Sequence, residues 1–206
     1  IGRALRGHVG EMRSDLFLRL FTDADFAGGV RDSKSTSGGF LALCGPNTFF
    51  PIMWLCKTQT ATSRSTTEAE IIAMAQSLFT EALPQLSLWE KILGRKVNLV
   101  IEQDNQATII VAKAGYSSKF RHVTRTQKVD LGSIAEVLER ENVEIHWIVS
   151  RNQVADIFTK AVTPANWNNA MELLGIYEFG SKKKGGVREH KDDDEPVADE
   201  NDEDPI

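Results

Sequence analysis

The sequence lacks the features that define several large protein classes. Only two cysteines, Cys44 and Cys56, occur among its 206 residues, which excludes a disulfide-stapled scaffold and a four-cysteine zinc site. No stretch approaches the roughly 18 consecutive apolar residues of a membrane helix, so we expect no membrane partner. The N-terminus lacks the apolar core of a signal peptide. We therefore expect an intracellular protein, in the cytoplasm first and, as the alternative, in the nucleus.

An excess of one charge is also absent from most of the chain. The net charge of -5 at pH 7 comes from residues 181–206, which hold ten acidic and five basic side chains, whereas the other 180 residues carry 19 of each sign. A nearly neutral body does not exclude a nucleic-acid ligand, although no strong basic field favours one. Hydrophobic residues make up 41% of the chain, which is enough to bury a core.

Composition predicts three parts along the chain. Residues 1–14 are basic and begin with isoleucine instead of methionine, so we expect the remnant of a segment that lies upstream. Residues 15–176 carry the apolar periodicity of one folded domain. Residues 177–206 offer almost nothing to bury, which predicts a disordered charged tail.

Hydrophobic periodicity predicts an α/β fold with one mixed sheet and helices on its faces. The predicted strands are Leu16–Thr22, Phe40–Cys44, Phe49–Cys56, Val97–Ile101 and Val143–Val149. Both cysteines lie in these strands, and we expect them to be small core residues. Predicted helices run from Glu68 to Gly94 with a break or a kink at Pro84, and then over Asn105–Ala114, Thr126–Arg140, Gln153–Val162 and Ala165–Leu174.

Four acidic residues occur near predicted strand ends and helix starts. Asp23 follows the first strand, Asp104 follows the fourth, and Glu70 and Asp156 lie in first turns of helices. Ligands gather at the carboxyl ends of strands in open α/β sheets. Four carboxylates at one place would repel each other and raise their pKa values unless a cation were bound. Such hard oxygen ligands favour Mg²⁺ or Mn²⁺, and a pair of these ions suits phosphodiester hydrolysis.

Each acid also has a structural alternative. An aspartate after a strand is commonly a turn former or a helix cap. Glu70 could close a capping box with Thr67, and Glu68 could do so with Ser65. Glu68 and Glu70 point in different directions from a helix, so only one of them can enter a shared site. Spacing alone therefore does not identify an enzyme.

Four motifs occur in order, and each has a counterpart in one known family. They are FTDADFAGGVRDSKSTSGGF, then STTEAEIIAMA after Trp54, then QDNQATI, and finally VADIFTKAVTP with MELLGI behind it. They resemble Y-S-D-A-D-W-A-G with R-K-S-T-S-G, S-S-T-E-A-E-Y-x-A, C-D-N-Q-S-A-I and L-A-D-I-L-T-K-A-L-P. These belong to the ribonuclease H domain of copia-type (Pseudoviridae-like) retrotransposon Pol polyproteins, and the resemblance covers roughly residues 1–176.

The resemblance implies a ribonuclease H-like fold, with a five-stranded mixed sheet flanked by helices. It implies a metal-dependent endonuclease that hydrolyses the RNA strand of RNA–DNA hybrids, with a reverse transcriptase domain upstream. Asp23, Glu70, Asp104 and Asp156 match the family's metal ligands, which leaves Glu68 to the helix cap. Two Mg²⁺ ions, or Mn²⁺, would activate water and stabilise the leaving 3′ oxygen.

Substrate recognition would depend on backbone shape and the 2′-hydroxyl of the RNA strand. Candidate contacts, with the two lysines assigned to phosphates, are Lys34, Ser35, Thr36, Ser37, Lys57 and Asn105.

One segment departs from the family. Lys128 and Ile134 stand where the family has two histidines, and Gly132 lowers helix propensity nearby. This departure favours an alternative in which the chain is a catalytically silent relic that acts as a nucleic-acid-binding or interaction module. A transposase or integrase of the same fold would commonly use three acids, and Asp156 in its VADIFTK setting argues against it. We expect His146, which alternates within a strand, to be half-buried and structural.

Overall fold

The computed structural model describes residues 2–29 and 31–178. The strands within these residues are β1 (Arg3–Leu5), β2 (Phe17–Asp25), β3 (Thr36–Gly45), β4 (Thr48–Thr58), β5 (Leu99–Gln103), β6 (Val143–Trp147) and β7 (Ile176–Glu178). The α-helices are α1 (Thr66–Ser77), α2 (Leu83–Leu93), α3 (Gln106–Ala114), α4 (Val123–Gln127), α5 (Leu131–Leu138) and α6 (Trp167–Leu173). None of the helices in these ranges is both long enough and apolar enough to span a membrane.

Five strands form the predicted mixed sheet, in the order β4-β3-β2-β5-β6. β2, β3 and β4 are antiparallel neighbours, whereas β5 lies parallel to β2 on one side and to β6 on the other. β2 extends to Asp25 and β3 begins at Thr36, beyond the predicted ends, because backbone pairing of Asp25 with Thr36 continues the ladder through polar residues. The predicted α/β fold class is confirmed.

The two faces of the sheet carry different cores. On one face, α1 packs on the large aliphatic side chains of the central strands, such as Leu20, Leu41 and Ile101. The other face is covered by a 3₁₀ helix, Val154–Phe158, and by α6. Phe40 lies at the centre of this second core, with three phenylalanine rings at centroid distances of 6.1 to 6.3 Å.

Several helices differ from their predictions for local reasons. The predicted break at Pro84 is absent because a π-helical segment, Leu78–Ala82, joins α1 to α2 and the proline falls in the first turn of α2, where no N–H is needed. The predicted helix Thr126–Arg140 is divided into α4 and α5 at Lys128, which has a φ of 58°. The predicted helix Gln153–Val162 is only the five-residue 3₁₀ helix.

The ends of the described chain pair with each other. β1 and β7 form an antiparallel ribbon, and His8 makes a bridge to Phe49 of β4. Residues that the sequence assigned to an upstream remnant therefore contact the body of the domain. Tyr177 and Glu178, which were assigned to the charged tail, lie in β7. The remaining tail, residues 179–206, is outside the described residues.

Two expectations about individual side chains are wrong. Cys44 is buried as predicted, but Cys56 is exposed because it lies near the end of the edge strand β4, where Trp54, Lys57 and Thr58 are also exposed. His146 is not half-buried either. Its side chain is exposed on β6, with its ring nitrogen 2.9 Å from Glu144 Oε2.

Candidate metal centre

Two aspartates meet at one edge of the sheet. β2 and β5 are parallel neighbours with Phe21 opposite Glu102, so their carboxyl ends lie side by side. Asp23 is a buried residue of β2, and Asp104 directly follows β5. The chain leaves β2 towards β3 on one side and leaves β5 towards α3 on the other. Such a point of divergence is where open α/β sheets form ligand sites.

Asp156 reaches the same edge from the 3₁₀ helix Val154–Phe158. This helix can lie against the sheet because Gly38, the partner of Asp23 in the β2–β3 ladder, has no side chain. A Cβ on Gly38 would stand 2.5 Å from the Thr159 methyl group and 3.0 Å from the Ala155 carbonyl oxygen. Carboxylate oxygens of Asp23, Asp104 and Asp156 consequently lie within 4.8 Å of one another.

Glu70 approaches from the opposite face, in the second turn of α1. The prediction that it lies in the first turn, with Thr67 as its cap, is wrong, because Ser65 is the N-cap and the helix begins at Thr66. Ala24 of β2 packs against Ala69 and Ala73, and these small side chains let the start of α1 come close to the end of β2. Glu70 is buried and its Oε2 accepts a 3.4 Å hydrogen bond from Gln103 Nε2. Burial, together with the negative charges of Asp23 and Asp104, raises the pKa of Glu70 to about 9.

Glu68 has the capping role that the sequence assigned to it. Ser65 is the N-cap of α1, and its Oγ accepts a 3.2 Å hydrogen bond from the Glu68 amide. The buried Glu68 carboxylate accepts from the Arg64 amide through Oε2, and its Oε1 lies 3.1 Å from His122 Nε2. Glu68 is thus occupied by structural partners. Glu70 is not one of the three acids whose oxygens meet within 4.8 Å, but it is close enough for the charges of Asp23 and Asp104 to raise its pKa. We call Asp23, Glu70, Asp104 and Asp156 the carboxylate cluster.

The cluster concentrates negative charge in partly desolvated surroundings. Burial and then the charge of Asp23 raise the pKa of Asp156 to about 6, against the opposing effect of Lys160. Lys160 Nζ lies 3.1 Å from both Asp23 Oδ1 and Asp156 Oδ1. Burial opposes the charge of Lys160, but the two carboxylates raise its pKa above the ordinary value. Burial first, and repulsion between the carboxylates second, raise the pKa values of Glu70 and Asp156. A divalent cation would offset both effects, and an all-carboxylate donor set fits a hard ion.

Other side chains orient the cluster, and most of them were missed in the sequence. Ser150 Oγ donates to Asp104 Oδ2 at 2.8 Å, and Trp147 Nε1 donates to the Asp104 carbonyl at 3.0 Å. Thr159 Oγ1 donates to Asp23 Oδ2. Thr159 and Lys160 belong to the VADIFTK motif, so that motif held a usable signal. Ser150 and Trp147 carry no comparable signal.

The predicted substrate contacts fall into two groups. Ser35 and Ser37 are fully buried, with their hydroxyls accepting from the Ala27 amide and from Gln59 Nε2. Their interpretation as substrate contacts is corrected, because side chains already enclosed by the protein cannot reach a ligand. The other four have at least partly accessible side chains and remain predicted contacts: Lys34, Thr36, Lys57 and Asn105.

Two of those four also have structural partners. The Asn105 side chain caps α3 by accepting from the Thr108 amide at 3.1 Å. Lys34 Nζ lies 3.5 Å from Asp32 Oδ2 at the surface. Thr36 and Lys57 lie on adjacent strands at the end of the β3–β4 ladder near Gly38, and Lys57 is exposed.

Strand order and parallel crossovers define the class: the chain has a ribonuclease H-like fold, with a carboxylate cluster at the carboxyl edge of its parallel strands. It is similar in sequence to the retrovirus-related Pol polyproteins of plant transposons, which is consistent with a copia-type ribonuclease H domain. It is 29% identical over 185 residues to that from transposon TNT 1-94 of Nicotiana tabacum, and 28% identical over 182 residues to that from transposon RE2 of Arabidopsis thaliana.

These alignments cover 85% and 84% of this chain but only 13% and 11% of the two polyproteins, so the chain spans a small part of the length of its relatives. No family model matches the chain. Among solved structures, it is similar to the N-terminal ribonuclease H domain of a Mycobacterium tuberculosis protein (TM-score 0.44, 13% identity, 77% of this chain and 96% of that one). It is also similar to LC11-RNase H1 from compost (TM-score 0.43, 12% identity, 69% and 92%).

Proposed function

We propose that this chain is a divalent-metal-dependent ribonuclease that hydrolyses the RNA strand of RNA–DNA hybrids during retrotransposon reverse transcription. One observation carries the proposal: oxygens of Asp23, Asp104 and Asp156 meet within 4.8 Å, beside the buried Glu70. Carboxylates held close together at a sheet edge repel each other, which destabilises the fold unless a cation is bound. The same arrangement is a good binding site for hard cations. The Pol polyprotein relatives and the four motifs support the same function.

The carboxylate cluster would hold Mg²⁺ or Mn²⁺, as two ions. A pair of such ions generates a nucleophilic water at neutral pH and stabilises the leaving oxygen of a phosphodiester. The protein supplies orientation: Ser150 holds one oxygen of Asp104, Thr159 holds one oxygen of Asp23, and Gln103 holds one of Glu70. Asp23 and Asp104 would each offer the metal the carboxylate oxygen that these hydroxyls do not hold, and that oxygen of Asp23 is in contact with Lys160.

Substrate would reach the cluster along the exposed edge beside Gly38. Lys57 and Lys34 would contact phosphates there, with Thr36 and Asn105 on the sugar-phosphate backbone. Recognition of this kind selects the shape and the 2′-hydroxyl of the RNA strand in a hybrid and reads no base sequence.

The proposed setting is a retrotransposon polyprotein. Residues 15–176 would supply the nuclease, with the ribbon of β1 and β7 attached to it. A reverse transcriptase domain of the same polyprotein would stand upstream and deliver the hybrid. The protein would work inside the cell, in the cytoplasm or the nucleus.

Incubation of the purified chain with end-labelled RNA–DNA hybrid tests the proposal. We expect RNA cleavage with Mg²⁺ or Mn²⁺, no cleavage in EDTA, and no cleavage of single-stranded RNA or duplex DNA. Asp104→Asn should abolish cleavage, because an amide is a weak ligand for hard cations. Glu144→Gln, which neutralises an exposed carboxylate on β6, is the matched control and should cleave normally. Cleavage that persists in EDTA or in Asp104→Asn would reject the metal mechanism.

The alternative is a silent ribonuclease H-like relic that binds nucleic acid. The segment that lacks the two family histidines favours it: Ile134 is fully buried in the core, and Lys128 is an exposed residue at the junction of α4 and α5. Hybrid binding by the wild-type chain, without cleavage in either metal, would support the relic.

A further inference from the structure

A lysine lies inside the carboxylate cluster. Lys160 Nζ is 3.1 Å from an oxygen of Asp23 and 3.1 Å from an oxygen of Asp156. The Asp23 side chain is 1% exposed, whereas those of Asp156 and Lys160 are 35% and 45% exposed. The ammonium group therefore bridges one buried and one half-buried carboxylate from the solvent side.

The backbone fixes this position. The Lys160 amide donates to the Asp156 carbonyl at 2.9 Å, so the lysine and the aspartate belong to one turn. Thr159, between them in the chain, has its hydroxyl within hydrogen-bond distance of both Asp23 Oδ2 and the Asp156 carbonyl oxygen, and these two acceptors share its single proton. The backbone bond between Lys160 and Asp156 and the contacts of the Thr159 hydroxyl hold this turn against β2. They therefore place both Asp156 and Lys160 beside Asp23.

Lys160 and a bridging metal cannot occupy this place together. A Mg²⁺ ion approaches its oxygen ligands to about 2.1 Å, so an ion shared by Asp23 and Asp156 needs the space in which the ammonium lies. The two positive charges would also repel each other at this short distance. The lysine stem is flexible and its head is nearly half exposed, so the ammonium can move outward into solvent at little cost.

We propose that Lys160 is the internal counter-ion of the carboxylate cluster. It holds Asp23 and Asp156 together before a metal binds, and the metal displaces it, so Lys160 sets the affinity of the site for divalent cations. The proposal rests on the metal site of the proposed function. Lys160 is then a positioning residue that also competes with the metal for Asp23 and Asp156. A purely structural ion pair would not change the metal affinity in this way.

Metal binding by Lys160→Met tests this directly. Methionine keeps most of the apolar stem and removes the charge. Isothermal titration of the full chain with Mn²⁺ should give a Kd at least about tenfold lower than that of the wild type, because a competing unit charge in contact with the ligands is gone. Without metal, the Tm should fall, since Asp23 loses its counter-ion, and Mn²⁺ should restore it. Lys113→Met, at the far end of α3, is the matched control and should change neither quantity.

A second measurement uses the wild-type chain. Acetylation of Lys160 by an N-hydroxysuccinimide ester, followed by peptide mass spectrometry, should accelerate severalfold when Mn²⁺ is added, because the displaced amine is free of its carboxylates. Lys113 serves as the internal reference and should react at the same rate throughout. If Lys160→Met does not fold, this measurement decides.

The outcomes separate the two proposals. Equal Mn²⁺ affinity in wild type and Lys160→Met, or an acetylation rate that Mn²⁺ leaves unchanged, would overturn the role of Lys160 while the metal site stands. If neither protein binds Mn²⁺, the metal site fails and the role of Lys160 fails with it.

Discussion

The two faces of the sheet supply the carboxylate cluster in different ways. Glu70 arrives on α1, a twelve-residue helix whose neighbouring side chains are buried in the large aliphatic core. Asp156 and Lys160 arrive on and just after a five-residue 3₁₀ helix that covers the thinner aromatic core. The cluster therefore has one half fixed by extensive packing and another half placed by a glycine contact and a few polar bonds. Equivalent substitutions in the two halves should therefore differ in their effects on cleavage, stability and metal affinity.

The largest effect should come from Glu70 on the rigid half. Glu70→Gln should reduce hybrid cleavage by well over about a hundredfold, because changes to mere supporting residues already cost about 10- to 100-fold. Its metal-free stability should be equal to or higher than that of the wild type, since an amide resembles the protonated carboxyl that a pKa of about 9 maintains at neutral pH. Cleavage assays and urea unfolding measure the two quantities.

Glu68→Gln is the control on the same helix. It should lose about 1 kcal/mol of stability through its weakened contacts with His122 and the Arg64 amide, with cleavage largely kept. If Glu68→Gln abolishes cleavage and Glu70→Gln does not, the two glutamates have been assigned the wrong way round. If neither changes the rate, the four-carboxylate mechanism is wrong.

The second effect compares neighbouring glycines that face opposite cores. Gly38→Ala should displace the 3₁₀ helix, because its Cβ would meet the Thr159 methyl group and the Ala155 carbonyl. Gly39→Ala would instead meet Ser77 Oγ on the α1 side, at 2.4 Å. Both should cost about 1 to 3 kcal/mol of stability as overpacked positions. Only Gly38→Ala should also weaken Mn²⁺ binding, by about tenfold or more, because a shifted supporting residue typically costs that much. Equal Mn²⁺ affinity in the two variants would show that the placement of Asp156 does not depend on Gly38.

The third effect is on the pH dependence of metal-free stability. The pKa of Asp156 is raised from 3.8 to about 6 and that of Glu70 from 4.5 to about 9, so the folded state retains protons that the unfolded state releases. Their contributions to the free energy of unfolding are present at low pH and are lost as pH rises, for Asp156 up to about 6 and for Glu70 up to about 9.

Urea unfolding across this range checks the pH dependence. Relative to the wild type, Asp156→Asn should flatten the decline below about pH 6, and Glu70→Gln should flatten it above that value. A difference between wild type and Glu70→Gln that does not change with pH would contradict the raised pKa of Glu70.

The smallest effect concerns the two thiols. Cys56 is exposed on the edge strand, whereas Cys44 is buried in the aromatic core, where burial raises its pKa to about 12. We expect one fast-reacting thiol per native chain with a maleimide reagent, because the reactive thiolate is accessible only at Cys56. Cys56→Ser should remove the fast reaction and leave cleavage unchanged. Two fast thiols in the native chain would mean that the aromatic core is open to solvent.

Much of the fold could be predicted from the sequence, because its signals are local. The alternation of Leu16, Leu18 and Leu20 identifies β2, and the apolar run at Val97–Ile101 identifies β5 to within two residues at each end. The change from a two-residue to a three-to-four-residue period at Glu68 identifies α1. Each pattern depends only on which side chains a single strand or helix presents to the core. It can therefore be recognised without knowing which other element packs against that strand or helix.

The four acids could also be nominated from the sequence, through motifs whose order matches a known family. Helix geometry separated Glu68 from Glu70 before any contact was known. The serines of the same first motif show where such reasoning stops. Ser35 and Ser37 look like neighbours of the substrate in the chain, yet the β3 ladder and Gln59 enclose them.

The strands, the main helices and the acids available for a site can all be read from the sequence. Packing of distant segments places Lys160 in the carboxylate cluster, brings Ser150 to Asp104 and leaves Cys56 outside the core. The two kinds of feature differ in the range of the interactions that produce them. Hydrophobic periodicity concerns residues two to four positions apart, whereas Lys160 meets Asp23 across 137 residues. That contact exists only once the sheet and the 3₁₀ helix are packed together.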